Sequence, residues 1–259
     1  MPARKAMKTQ GTERRYYDLC LQSADAGILQ QAAAYSWTGV CVAQKPEQAR
    51  SMKALKKPAN LECYVGAVID RNVEKNARTA LEYADIIIVS GGDGDVNREA
   101  SECWEVDILL HPEANQEKDF MDYRNAGLDH VMASFMAERG IALGIDFSQL
   151  LSLSGRSLAQ LIGRIRQNVR IALKYKLPVV LVSCASDRLG VRSPWDMTAT
   201  CPLLGVPPHV ASKVVSDFPA YLIKKANDRK NPNVILKGLE VVDWGKQKPA
   251  EKKRKYGWY

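Results

Sequence analysis

Arg166, Arg170 and Lys174 follow one another at intervals of four residues, and the forty residues from Phe147 to Ser186 contain no Asp or Glu. On a helix that spacing stacks three cations along one flank, where like charges repel one another by a few tenths of a kcal/mol per pair. Arg156, Arg164 and Lys176 add to the same acid-free stretch. The chemistry such a row performs is electrostatic capture rather than bond making, and a phosphate backbone is its natural partner. A solvated basic face is the alternative reading. Ordinary solvated helices interleave the two signs, and this one does not.

A second set of residues has the types needed for hydrolysis. Asp70 and Arg71, Ser90 to Asp93, His111 and Glu113, Asp146, and Ser183 to Asp187 all follow short apolar runs. In a parallel barrel those places are the catalytic mouth. Asp93, His111 and Asp146 could hold a metal ion with a bound water as nucleophile, which would make the chain a metal-dependent barrel phosphoesterase. The spacing speaks against it, because the first strand ends in Leu21-Gln22-Ser23 with no His-x-His or acidic pair. Only three histidines are present; His130 and His209 read as local structural residues. The run Ser90-Gly91-Gly92-Asp93-Gly94-Asp95 could cradle phosphate with its N–H groups, but its acids would repel one, so a turn capping the next helix is expected. The six cysteines form no C-x-x-C pair and mostly lie in apolar runs, which predicts buried free thiols.

The elements that must position these residues alternate. Strands are expected over 16–22, 38–43, 62–69, 85–90, 107–110, 142–147 and 179–183, with helices over 25–35, 47–56, 73–83, 96–102, 128–139 and 158–176. In the last helix Leu158, Leu161, Ile162, Ile165, Val169, Ala172 and Leu173 make one apolar stripe. Near-continuous apolar strands separated by helices predict a parallel sheet covered on both sides. The length of 259 residues and the absence of G-x-G-x-x-G after the first strand favour a closed barrel over an open sheet. The fold class expected is α/β, TIM-barrel-like, with about seven parallel strands and the eighth missing or irregular. After the seventh, 195–204, 208–216 and 218–227 read as helical and 234–242 as an extended tail. The organisation expected is a basic arm (1–15), one barrel domain (16–245) and a basic tail (246–259) expected to be flexible, whose Tyr256, Trp258 and Tyr259 could stack on unpaired bases.

Charge is unevenly distributed. Residues 1–58 carry ten basic and four acidic residues, 59–150 seven and eighteen, and 151–259 twenty and seven, for a net charge of +8. An acidic face and a basic face are expected from this segregation. No run approaches the roughly 20 apolar residues of a membrane span and the first fifteen residues hold no apolar signal segment, so a cytoplasmic protein without membrane contact is expected.

Several pieces, in order, resemble a known family. They are Tyr16-Tyr17-Asp18-Leu19, the Gly127 to His130 turn, Ala137-Glu138-Arg139-Gly140 before a strand, Asn168-Val169-Arg170 with Lys174-Tyr175, and Asp187-Arg188 with Leu189 to Pro194. The set resembles the family of ribonuclease P protein component 3, the thirty-kilodalton subunit shared by archaeal and eukaryotic enzymes. The likeness covers most of 16–242; the acidic stretch Ala114 to Asp122 has no match in the set. The resemblance implies a PHP-related barrel that lacks the metal site of its hydrolase relatives. It implies a subunit of an endoribonuclease in which RNA with bound Mg2+ removes the 5′ leader of precursor tRNA, while this chain contributes no catalytic residue and binds no cofactor. It also implies pairing with component 2 and assembly with further protein subunits and the RNA. Arg170, Lys174, Arg188 and Arg192 are the residues expected on RNA phosphates, with Arg164 and Arg166 added on spacing. Arg124 and Arg139 rank second, since each has an acid nearby in sequence.

Overall fold

The computed structural model describes residues 14–52, 58–114, 119, 121–236 and 238–245. In chain order the elements are β1 (Tyr17–Leu21), α1 (Ala26–Ala34), β2 (Gly39–Gln44), α2 (Pro46–Ser51), β3 (Glu62–Ile69), α3 (Val73–Ala80), β4 (Ile86–Ser90), α4 (Gly94–Glu102), β5 (Ile108–Leu110), α5 (His130–Arg139) and β6 (Ala142–Asp146). They continue with α6 (Phe147–Ser152), α7 (Gly155–Lys174), β7 (Val179–Val182), α8 (Pro194–Thr200), α9 (Pro208–Ala211), α10 (Asp217–Lys230), β8 (Val234–Leu236) and β9 (Leu239–Glu240). One 3-10 turn, Cys201–Leu204, extends α8.

Strands β1 to β7 pair in sequence order, all parallel, into a nearly closed TIM-barrel-like ring. Their side chains explain the closure. Leu19, Cys41, Ala43, Ile86, Ile88, Ile108, Val180 and Val182 point inward and form one buried cluster. Their sequence neighbours, such as Val40, Val42, Ile87, Val89, Leu109 and Leu181, belong to the other cluster, under the helices. A strand buried on both faces must be apolar at successive positions, which is why these runs lack alternation. The ring closes where the backbone of β7 meets β1: Cys184 N–H donates to Cys20 O at 2.9 Å and Gln22 N–H to Ala185 O at 2.9 Å. Between them the Asp18 carboxylate takes the place of a ladder carbonyl, accepting from Ser183 N–H and Cys20 N–H, each at 3.2 Å.

No eighth parallel strand is present among the described residues. The opposite mouth is plugged by α10, whose Leu222, Ile223 and Ala226 join the inner cluster. The same helix sends Lys225 and Arg229 to Asp107 at 3.2 and 2.5 Å, while Lys230 pairs with Asp85. Acids of the middle third thus pair with cations of the last third, Asp107 doing so inside the fold. The expected tail over 234–242 is instead a hairpin of β8 and β9. Helix α7 begins three residues earlier than read from the stripe, and part of the expected 47–56 helix lies outside the described residues. All six cysteines are free, five of them buried.

Candidate nucleic-acid interface

Helix α7 divides its surface three ways. Leu161, Ile165, Val169 and Ala172 are buried against the outside of the barrel. A second side is covered by the segment that follows β5. Asp119 accepts from Arg164 Nε at 2.9 Å and from Asn125 N–H at 3.1 Å, and lies 3.4 Å from Arg124 Nη1. Gln167 Nε2 donates to Arg124 O at 3.0 Å, and the buried Asn168 donates from Nδ2 to Ala126 O at 2.8 Å and to Glu113 Oε2 at 3.1 Å. Arg124 lies flat on the helix at Gly163, where a Cβ would stand 2.5 Å from its Nε. The third side carries Arg166, Arg170 and Lys174, all exposed. Arg166 Nε donates to Leu203 O at 2.8 Å, which fixes its stem. Among the described residues Arg170 has no carboxylate partner, and Lys174 lies over the Tyr175 ring at 5.7 Å.

The remaining expected site residues are spread over other elements. The segment after β7 runs down across α1: Arg188 Nε donates to Gln31 Oε1 at 3.0 Å, and Trp37 Nε1 donates to Arg192 O at 2.9 Å. The Arg192 guanidinium turns back to Leu189 O and Val191 O, while the cap of α8 is Ser193, accepting from Asp196 N–H at 3.2 Å. Arg139 sits at the far end of α5, between the rings of Trp104 and Phe135 at 5.0 and 4.9 Å and 3.8 Å from Glu138. Of the eight expected cations, Arg166, Arg170 and Lys174 therefore form one continuous row. Arg124 and Arg164 are engaged by Asp119, Arg188 and Arg192 lie on a neighbouring segment, and Arg139 belongs to the packing of its own helix.

The barrel interior has its own polar cluster. His111, with φ of +40°, is half-buried with Nε2 3.5 Å from Ser90 Oγ. Burial lowers its pKa, and the nearby Asp146 works in the other direction. Asp146 caps α6 through Ser148 N–H at 2.8 Å. Burial pushes the Asp18 carboxyl up to about 6 against the hydrogen bonds from Ser183 and Cys20, and pushes Glu113 up to about 7 against its bond from Asn168. The metal triad of Asp93, His111 and Asp146 is corrected: Asp93 is exposed and caps α4 by accepting from Asp95 N–H at 2.9 Å. Among the described residues no three carboxylate, imidazole or thiol groups gather closely enough to hold a metal ion. The expected capping role of the glycine-rich turn is what Asp93 performs.

Sequence reading missed Asp18, Glu113 and Asn168 as parts of the scaffold and Trp195 as an exposed residue. Asn168 carried a signal, being a polar residue beside Val169 at the edge of an apolar stripe. Trp195 carried none, because exposure is set by packing.

A sequence profile described as RNase P subunit p30 matches residues 15–231. A ribonuclease P protein component 3 from Methanosarcina acetivorans is 29% identical over 240 residues, 88% of this chain and 96% of that one. One from Methanococcus maripaludis is 32% identical over 176 residues, 66% of this chain and 70% of that one. A chain in the cryo-EM structure of archaeal ribonuclease P with mature tRNA superposes with a TM-score of 0.72 at 24% identity, covering 89% of this chain and 100% of that chain. An amidohydrolase crystal structure superposes at 0.52 with 10% identity over 82% of this chain and 74% of its own, a likeness of fold alone. With a match that runs from the first strand to the end of α10, and with relatives aligned along nearly their whole length, this chain belongs to the RNase P subunit p30 family.

Proposed function

We propose that within ribonuclease P this chain lays the free flank of α7 along phosphates of the catalytic RNA and supports that RNA without performing chemistry itself. Cleavage of the 5′ leader of precursor tRNA is then carried by the RNA and its Mg2+, and component 2 is the protein that pairs with this one. The supporting observation is the flank: three cations at four-residue spacing on a rigid helix whose other two sides are packed, with the neighbouring Arg164 already neutralised. A helix held on two sides keeps its third in place, so the backbone that carries the cations needs no further ordering to meet a polyanion and only the side chains lose freedom.

The test is reconstitution of precursor tRNA cleavage with and without this chain, across Mg2+ concentrations. Addition of the chain is expected to raise the rate or lower the Mg2+ requirement, and to do so less when Arg170 and Lys174 are replaced by Ala. Identical rates and Mg2+ profiles with and without the chain would overturn it. RNA affinity should fall steeply with salt, and the log–log slope should shrink by about one per cation removed.

A further inference from the structure

Trp195 is 57% exposed, unusual for a residue type that is mostly buried in folded proteins. Its helix is not loose. Pro194, Met197, Cys201 and Leu204 all face the core, so α8 and the 3-10 turn after it are anchored along one side and Trp195 is directed outward by the same periodicity. Tyr16 supports the indole at 5.7 Å between ring centroids, with the planes tilted by 55°. Ala199 and Leu203 continue the exposed side, and it is the Leu203 carbonyl that Arg166 holds at 2.8 Å. Eight residues of helix place the indole on the order of 12 Å from that contact.

We propose that Trp195 is a stacking platform for an unpaired nucleobase of the RNA whose phosphates follow the α7 row. This rests on the RNA-binding reading given above and adds a second mode of recognition to it. An exposed indole on the order of 12 Å along the chain from a helix-borne cation suits a nucleic acid, which offers a flat apolar face and a phosphate within one or two nucleotides of each other. The two carboxylates of this segment are each held in a local turn, Asp196 accepting from Ser193 Oγ at 2.8 Å and Asp187 from Gly190 N–H at 2.7 Å. The exposed Arg188 lies on the same segment.

The experiment measures binding of the full chain to a single-stranded oligoribonucleotide and to a blunt RNA duplex of the same length, at several salt concentrations. Trp195→Ala is expected to weaken the single strand about 5- to 100-fold, to change the duplex less than about twofold, and to leave the salt slope unchanged. Trp195→Phe should recover most of the loss, and an unchanged urea midpoint for both variants shows that α8 is intact. Equal loss on both RNAs, a changed slope, or full single-strand affinity in Trp195→Ala would overturn the platform. In the last case a retained effect of Arg170→Ala leaves the RNA-binding reading standing without the platform. Failure of the unaltered chain to bind either RNA would overturn both.

Discussion

Asn168 donates to Glu113 at 3.1 Å, and both side chains are buried, so this polar contact ties the helix that carries the cation row to the loop after β5 inside the protein. Glu113 is pushed up to about 7 by burial, which means the folded state keeps a proton that the unfolded chain releases at ordinary carboxylate values. Stability should therefore fall as pH rises from about 4.5 to about 7 and level off above that. Asp18, pushed up to about 6, acts in the same sense over a lower window, from about 4 to about 6. Replacing Glu113 with Gln, which still accepts from Asn168, should flatten the upper part of that slope and raise stability at pH 8 by on the order of 1 to 3 kcal/mol. Urea titrations at pH 5 and pH 8 check it; an unchanged slope would show that Glu113 is ionised in the fold.

Arg164 and Arg170 separate two roles within one helix. Arg164→Ala removes the Asp119 contact and should lower stability by about 1 kcal/mol with little effect on the salt slope of RNA binding. Arg170→Ala should do the reverse, reducing the slope by about one at constant stability. Measuring the urea midpoint and the salt dependence on both variants decides between them.

Asp107 is 0% exposed and faces both Lys225 and Arg229. Burial works to raise its pKa, but the two cations together hold it below the usual carboxylate range. Asp107→Asn leaves two largely buried cations without their counterion and should cost on the order of 3 kcal/mol. The lowered pKa also means that this contribution is present above about pH 4 and is lost as pH falls through the folded value, so it adds to acid unfolding. Thermal melts of the variant at pH 7 test the first expectation, and an acid titration of the unaltered chain tests the second.

Gly127 has φ of +74°, and a Cβ there would stand 2.0 Å from Pro112 O. Because the clash is with backbone, Gly127→Ala should cost about 3 kcal/mol or more and loosen the loop that covers one side of α7. Hydrogen exchange at Asn125 N–H, now bonded to Asp119, reports the loosening directly.

Much of this protein is legible one residue after another. The strand–helix alternation, the parallel barrel and the buried stripe of α7 follow from local periodicity, because a strand covered on both faces and a helix packed on one must write those patterns into neighbouring positions. The cation row is legible for the same reason, being a spacing along one helix. Which of the cations are free is not legible. Arg164 and Arg166 are two residues apart and equal in charge, yet Asp119, 45 positions from Arg164, reaches only that one. Lys225 and Arg229 counted toward a basic last third until the plugging helix set them against Asp107, 122 positions from Arg229. Charge pairing across such separations depends on which loops and helices the closed ring brings together. A side chain's neighbours in space, rather than those in sequence, decide whether its charge is spent inside the fold or left for a partner.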